Sequence, residues 1–504
     1  MKRVTWLIFL SAFLLLRPYN FSTTGQMYSG DDWSYFAHAS ALAFGEFPSY
    51  SKESWMTGEG VPSHSVGAGV LAAPFVYLFS RLDLLNGNDI VSERKPNNIP
   101  GSWALFGFVV ASSVYFWLAC LFLFLSARMF VSSTAASWAV IGMVLVQGAP
   151  LFIFRRPVFS HVYELVLLAF LVWLFCRVKQ AGAVFGRGSM LVAGIAGGLL
   201  SLTRLDDLGF VLGFQILFVW QMKGAVYRKA LALGLMVFLG ALVVAVFKVW
   251  PEMLVAHHSL HGVDNLMKHL SVLDYMRRLW HIIVGPDWGL VFTAPFILVT
   301  VVFLYTSANS VLVQFKWISV LLLIKLWVVM QWMTQGGWYG YRYLLLSAMA
   351  LLTVPFAVFL EEKVLKGALW RRVAVVLIAL PPLLSMLFFE GNAEGLTLHI
   401  VEQYFAVSGW GNNIYQWEVW RALLWTPLEA VMVLCKGGVL YFFYLFCQAF
   451  SLDSVLPIIV RGKYPSFQWV VLVKTILVYV IPFVLFLLWQ ASNFKPGRKA
   501  WLQE

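Results

Sequence analysis

Charged side chains are scarce in this chain. Of 504 residues only 12% are Asp, Glu, Lys or Arg, about half the share usual in soluble globular proteins. With 61% of the residues hydrophobic and 17% aromatic, a water-soluble arrangement would leave large apolar patches in solvent, which excludes it. Cysteine is rarer still. Cys120, Cys176, Cys435 and Cys447 are the 4 present, none in a CxxC pair. That excludes a disulfide framework and reads as small buried hydrophobes. Also missing are the period-two alternation of a membrane barrel, any internal repeat, and a separate soluble nucleotide-binding domain. Acids are outnumbered 24 to 36 by Lys and Arg, for a formal net charge of +12. The bases sit in short connectors between apolar stretches, the pattern of cytoplasmic membrane loops, so no nucleic-acid partner is expected.

What remains is long apolar runs from end to end, with a mean hydropathy of +0.78. A helix needs about 20 apolar residues to span hydrocarbon. The expected fold class is therefore all-α, a polytopic integral membrane protein with about 12 to 14 transmembrane helices. Candidate helices are Val4–Leu16, Ser65–Leu82, Trp103–Ala127, Ala135–Phe154, Val158–Cys176, Met190–Thr203, Leu208–Met222, Ala230–Trp250 and Leu290–Thr306. They continue as Trp317–Met333, Tyr343–Leu360, Val373–Phe389, Leu423–Phe446 and Trp469–Trp489. The first resembles a signal peptide but lacks a clean cleavage site, and is expected to be retained with its start in the cytoplasm.

Basic clusters at Arg177/Lys179/Arg187, Lys223/Arg228/Lys229 and Lys363/Lys366/Arg371/Arg372 are expected to be cytoplasmic. Arg204–Asp207 and the loops Pro251–Trp288, Thr334–Arg342 and Gly391–Trp417 then lie outside. Near the start the count does not close: five crossings from Lys2 would put Arg177 outside. Either Ser65–Leu82 does not fully cross, or one helix is merged or split.

The segment Pro18–His64 is expected outside and is acidic in a basic protein. Within it Asp31 and Asp32 precede an apolar stripe of Trp33, Tyr35, Phe36, Ala39, Leu42 and Ala43, suited to lying along a membrane surface. Adjacent aspartates also make good helix caps, which is the structural alternative. Five histidines (His257, His258, His261, His269, His281) share the Pro251–Trp288 loop. His257 and His261, at i and i+4, would suit a divalent metal, with headgroup contact as the plainer reading. The stretch Trp410–Trp425 reads as an interfacial aromatic belt.

Asp31-Asp32-Trp33-Ser34-Tyr35, the Ala39/Ala41/Ala43 run and Gly45-Glu46-Phe47-Pro48 together resemble the first external loop of the GT-C class of polytopic glycosyltransferases. That class includes the protein O-mannosyltransferases and the lipid A aminoarabinose transferase. Pro62-Ser63-His64-Ser65-Val66-Gly67, Arg156-Pro157-Val158-Phe159-Ser160-His161, Gly197–Arg204 and Gly336-Gly337-Trp338-Tyr339-Gly340-Tyr341-Arg342 are similar to later stretches of bacterial members, in the same order. Tyr341 and Leu205 depart from the commoner residues there, and no large soluble domain is expected at the C-terminus. Residues 1–390 would form the catalytic membrane region, and residues 391–504 have no assigned role.

The resemblance implies a GT-C-like fold whose first external loop bears surface helices. It implies transfer of a sugar from a polyprenyl-phosphate donor to a lipid, glycan or protein acceptor, with inversion, on the periplasmic face of a bacterial inner membrane. Asp31 would be the base with Asp32 second, and Tyr35, His64, Arg156, His161, Arg204 and Arg342 would contact substrate. No residue is assigned to metal and no cofactor is certain. Plainer roles exist for several: Arg156 as an interface anchor, His161 as a satisfied helix-start residue, Arg204 in an ion cluster with Asp206 and Asp207. Two rival functions are a lipid-diphosphate-linked glycan ligase or polymerase, and a secondary transporter or flippase. The second would place ionisable residues in mid-helix, where Lys248, Lys325 and Lys436 are the candidates.

Overall fold

The computed structural model describes residues 30–57, 60–95, 98–154, 156–180, 187–222, 225–254, 271–285, 289–332, 341–392 and 417–428, with shorter stretches between 430 and 484. Among them every regular element is a helix. Seven helices are long and apolar enough to cross a membrane by length and composition, and four more are apolar but shorter. The fold is all-α and that of a polytopic integral membrane protein. Its elements are α1 (Gly30–Ala43), α2 (Gly67–Leu85), α3 (Trp103–Arg128), α4 (Ser133–Val140), α5 (His161–Gln180), α6 (Arg187–Thr203) and α7 (Leu208–Gln221). They continue with α8 (Val226–Val244), α9 (Val272–Val284), α10 (Pro295–Thr306), α11 (Val313–Trp332), α12 (Arg342–Phe359), α13 (Leu369–Asn392) and α14 (Trp417–Trp425).

One end of the bundle is basic. Ser132 bonds Glu361, Asn309 bonds Glu362, and Lys179 reaches the Val311 carbonyl at 3.4 Å. These contacts gather the ends of α3, α5 and α12 with the start of α11, hence Arg128, Arg177, Lys179, Lys316, Lys363 and Lys366. The opposite end collects the loop before α5, the α6–α7 connection and the start of α12. The core between them is dominated by α3, α5 and α12, whose large side chains Phe108, Phe116, Phe124 and Tyr163 are fully enclosed.

Helix α2 bears on the count that the sequence left open. Its Leu71 carbonyl accepts from Tyr115 at 3.1 Å, and its Asp83 accepts from the backbone N–H groups of Trp103 and Ala104 at 2.9 and 2.7 Å. So α2 runs antiparallel to the first half of α3, and Asp83 with Ser102 supplies caps for the α3 N–H groups that have no partner within the helix. Ser112, mid-way along α3, already bonds the Pro157 carbonyl ahead of α5. The start of α3 therefore projects beyond the start of α5, and α2, paired with that half of α3, projects with it and does not reach the basic end. Hydropathy alone could not tell this from a span.

Two further differences from the sequence reading have local causes. The run Leu290–Thr306 breaks at Ala294 (φ −152°, ψ 56°), because Pro295 opens a new helix. Of the stripe on α1, expected to lie along a membrane surface, Tyr35, Phe36 and Ala39 pack inside the protein together with Ala37 and Ala41, whereas Trp33, Leu42 and Ala43 stay half-buried. The reason is close approach. A Cβ on Gly69 would collide with His38, and one on Gly67 with the Thr203 backbone, so α2 threads between α1 and α6. Residues 1–29, which hold the first candidate helix, lie outside the described residues, as does most of 391–504.

Candidate functional site

Asp31 and Asp32 occupy the first turn of α1, where a helix N-terminus favours negative charge. Successive helical residues point about 100° apart, so the two carboxylates face different surroundings. Asp31 turns to the loop before α2: its Oδ1 lies 3.1 Å from His64 Nε2, and about a third of its side chain is exposed (34%). Asp32 turns inward and is 1% exposed. Arg156 Nη2 approaches its two oxygens at 3.2 and 3.3 Å. Arg156 itself is buried, with its guanidinium 3.8 Å above the Phe159 ring. Such a paired and stacked arginine is fixed in place, unlike one snorkelling to headgroups.

Tyr35, one turn along α1, places its hydroxyl 3.1 Å from Ser160 Oγ. Burial pushes its pKa up, and the Ser160 bond opposes this only in part. Ser160 leads directly into His161. His161 Nδ1 is 3.4 Å from Glu164 Oε2 and 3.3 Å from Arg204 Nη1. Six of the seven residues expected from sequence on the described side chains, Asp31, Asp32, Tyr35, Arg156, His161 and Arg204, thus line up with the seventh, His64, at one end of the bundle. Arg342 begins α12 beside them, its neighbour Tyr343 lying 4.4 Å under Arg204 and 5.7 Å from His161. The Arg342 side chain is outside the described residues, as are Trp338 and Tyr339.

Below this layer lies an ionic cluster that the sequence only half disclosed. Glu164, in α5, is fully buried between Arg204 Nε at 3.4 Å, Lys325 Nζ at 3.6 Å and the Ser347 hydroxyl. Lys325, from α11, also contacts Asp206 (2.5 Å) and Asp207. Arg204 bonds Asp206 at 3.0 Å. Although burial raises Asp206, the adjoining Arg204 and Lys325 charges hold it well below the usual carboxylate range. Asp207 goes the other way: burial and the neighbouring Glu164 charge push it well above. The expected Arg204–Asp206 pairing is present, and Lys325 and Glu164 enlarge it. A lone Glu inside an apolar run, three residues after His161, was the available signal for Glu164.

A scaffold outside the bundle fixes the loop. Ser40 donates to Glu53 at 3.0 Å and Arg94 Nε forms an ion pair with it at 2.7 Å, while Arg94 and Lys52 both hold Glu46. His38 Nε2 donates to the His64 carbonyl at 2.8 Å, and Tyr50 donates to His38 Nδ1 at 2.9 Å. Burial lowers the His38 pKa to about 4, keeping its ring neutral. Of the loop histidines considered for metal, His281 is exposed on α9 and the other four lie outside the described residues. Among the described residues no group of three or more His, Cys, Asp or Glu is arranged to hold a metal ion.

No protein-family model and no curated protein matches this sequence. Among solved structures the chain is similar to the apo form of the Archaeoglobus fulgidus oligosaccharyltransferase, with a TM-score of 0.41 and 13% identity. The match covers 92% of this chain and 60% of that one, so the chain spans less than two thirds of that protein's length.

Proposed function

We propose that the protein is a membrane glycosyltransferase of the GT-C class. It moves a sugar from a polyprenyl-phosphate donor to an acceptor at the bundle end opposite the basic one. By the charge bias of membrane loops, that end is external, or periplasmic in a bacterial inner membrane. The observation carrying this reading is the division of labour between adjacent carboxylates. Asp32 is enclosed by Arg156, whereas Asp31 stays partly open and is steered by a histidine. A transfer from a lipid phosphate needs a base to take the acceptor proton and fixed cations for the departing phosphate. Asp31 fills the first role. Arg156 and Arg204 already neutralise buried acids, so the donor phosphate falls to Arg342, with those two behind it. The apolar helices supply a groove for the lipid tail.

The test is mass spectrometry of glycans and lipids from cells with and without the protein. Loss of one sugar from one product is expected; identical profiles refute the reading. Purified protein given labelled nucleotide sugar and acceptor without lipid carrier should form no product, and efficient transfer there would overturn the donor assignment.

The buried cluster of Lys325, Glu164, Asp206 and Asp207 favours a second reading, a proton-linked transporter or flippase, since such proteins keep ionisable groups between helices. Substrate movement into empty liposomes without any sugar donor would establish it in place of the first.

A further inference from the structure

His64 is held at three points. Its carbonyl accepts from His38 Nε2 at 2.8 Å, its Nδ1 is 3.2 Å from both Ser34 Oγ and Ser63 Oγ, and its Nε2 is 3.1 Å from Asp31 Oδ1. The protons follow from what each partner can do. A carbonyl only accepts, so His38 carries its proton on Nε2, which leaves Nδ1 to accept from Tyr50. An ionised carboxylate also only accepts, so His64 carries a proton on Nε2, and in the neutral ring its Nδ1 accepts from a serine hydroxyl. A ladder results, Tyr50 to His38 to His64 to Asp31. It leaves α1 through His38 and returns to it through Asp31, one helix face bracing its own first turn across the loop.

We propose that His64 is the positioning residue for the Asp31 base, a role that rests on the transferase reading above. Its Nε2–H holds one carboxylate oxygen, which fixes the direction in which Asp31 meets an acceptor hydroxyl. During transfer the acceptor O–H gives its proton to Asp31 while its oxygen bonds to the anomeric carbon of the sugar. The bond from that carbon to the phosphate oxygen breaks, and its electron pair leaves with the lipid phosphate. His64 keeps its own proton throughout. Asp31 afterwards releases the acquired proton to water, which its exposed third can reach.

A histidine that is 36% exposed could instead touch the donor, and the two roles separate by kinetics. A glutamine amide nitrogen falls where the histidine Nε2 lies, an asparagine one where Nδ1 lies. The assay uses purified protein and a panel of synthetic polyprenyl-phosphate hexoses and pentoses. His64→Ala and His64→Asn should lose about 10- to 100-fold in kcat, the scale of a misplaced catalytic group, with donor KM little changed. His64→Gln should recover most of that loss. In an Asp31→Asn background, His64→Ala should cost nothing further. A donor KM that rises with kcat intact, or no recovery with glutamine in a well-folded protein, overturns the proposal.

A second measurement does not depend on turnover. Nitrogen-15 NMR of histidine-labelled protein, with His64 assigned by the signal missing in His64→Gln, should show the Nε2–H tautomer, and Asp31→Ala should release it to a mixture. An Nδ1–H tautomer in the wild type refutes the pairing. Should no donor in the panel be transferred, the transferase reading fails by itself, and the tautomer then decides the pairing.

Discussion

Acid should loosen the loop that carries the site, and His38 is the residue through which the loss can be worked out. A histidine in the unfolded chain titrates near 6.5, whereas burial holds His38 at about 4 in the folded protein. The folded value is the depressed one. The unfolded chain therefore binds the extra proton between these values, and stability present above about 6.5 is lost as pH falls toward about 4. The gap of about 2.5 units, at 1.36 kcal/mol per unit, corresponds to about 3 kcal/mol in full and about 2.5 kcal/mol by pH 4.5. Protonation also puts a hydrogen on Nδ1, where the ring now accepts from Tyr50. Carboxylates titrate in the same range, so the measurement is a difference. Wild type and His38→Gln, whose amide can still donate to the His64 carbonyl, are unfolded in mixed detergent at pH 7.5 and 4.5 and followed by tryptophan fluorescence. The wild type should lose about 2–3 kcal/mol more than the variant. Equal losses in the two proteins would mean that His38 is not held neutral by burial, and the ladder would lose its central rung.

Three other outcomes are expected. Asp31→Asn should lower kcat by about 10²–10⁴ with the fold intact, since general-base assistance is worth that much; if Asp32→Asn proves to be the inactive variant instead, the roles are exchanged. Arg342→Lys should cost tenfold or more in donor kcat/KM, from the about 1.5–3 kcal/mol of a charge-assisted contact, and wild-type kinetics would reduce Arg342 to an anchor. Lys325→Met should destabilise by about 3–5 kcal/mol because it removes the buried cation that contacts Asp207 and that Glu164 and Asp206 share with Arg204. Adding Asp207→Asn should restore part of this, which thermal stability in detergent would read, and independent effects of the two changes would refute the coupling.

How much of this was legible depended on the physical signal each feature leaves. Polar residues gathered outside the apolar runs announce themselves, so Asp31, Asp32, His64, Arg156 and Arg204 stand out in the sequence as candidates, and the structure brings them to one end of the bundle. Their partnerships were not, because pairing Asp32 with Arg156 joins positions 124 residues apart. Glu164 escaped because hydropathy averages one acid away among the apolar residues of α5. The direction of α2 was hidden for a different reason: an apolar helix against protein and one crossing lipid have the same composition. The stripe on α1 was legible only in part for a like reason: an apolar face specifies only that something covers it, and protein covers Tyr35, Phe36 and Ala39.

The glycine contacts at the start of α2 bear on how such a chain can be altered. Gly67 meets the Thr203 backbone and Gly69 meets His38 with no side chain between them. Main chain against main chain offers no rotamers to adjust, so the fit is set by the paths of three separate segments and not by their surface residues. The stretch from Asp31 to Gly69 is therefore not a portable cassette. Grafted into a related scaffold to change what it recognises, it would carry its carboxylates and histidines but arrive out of register unless the α6 terminus came with it.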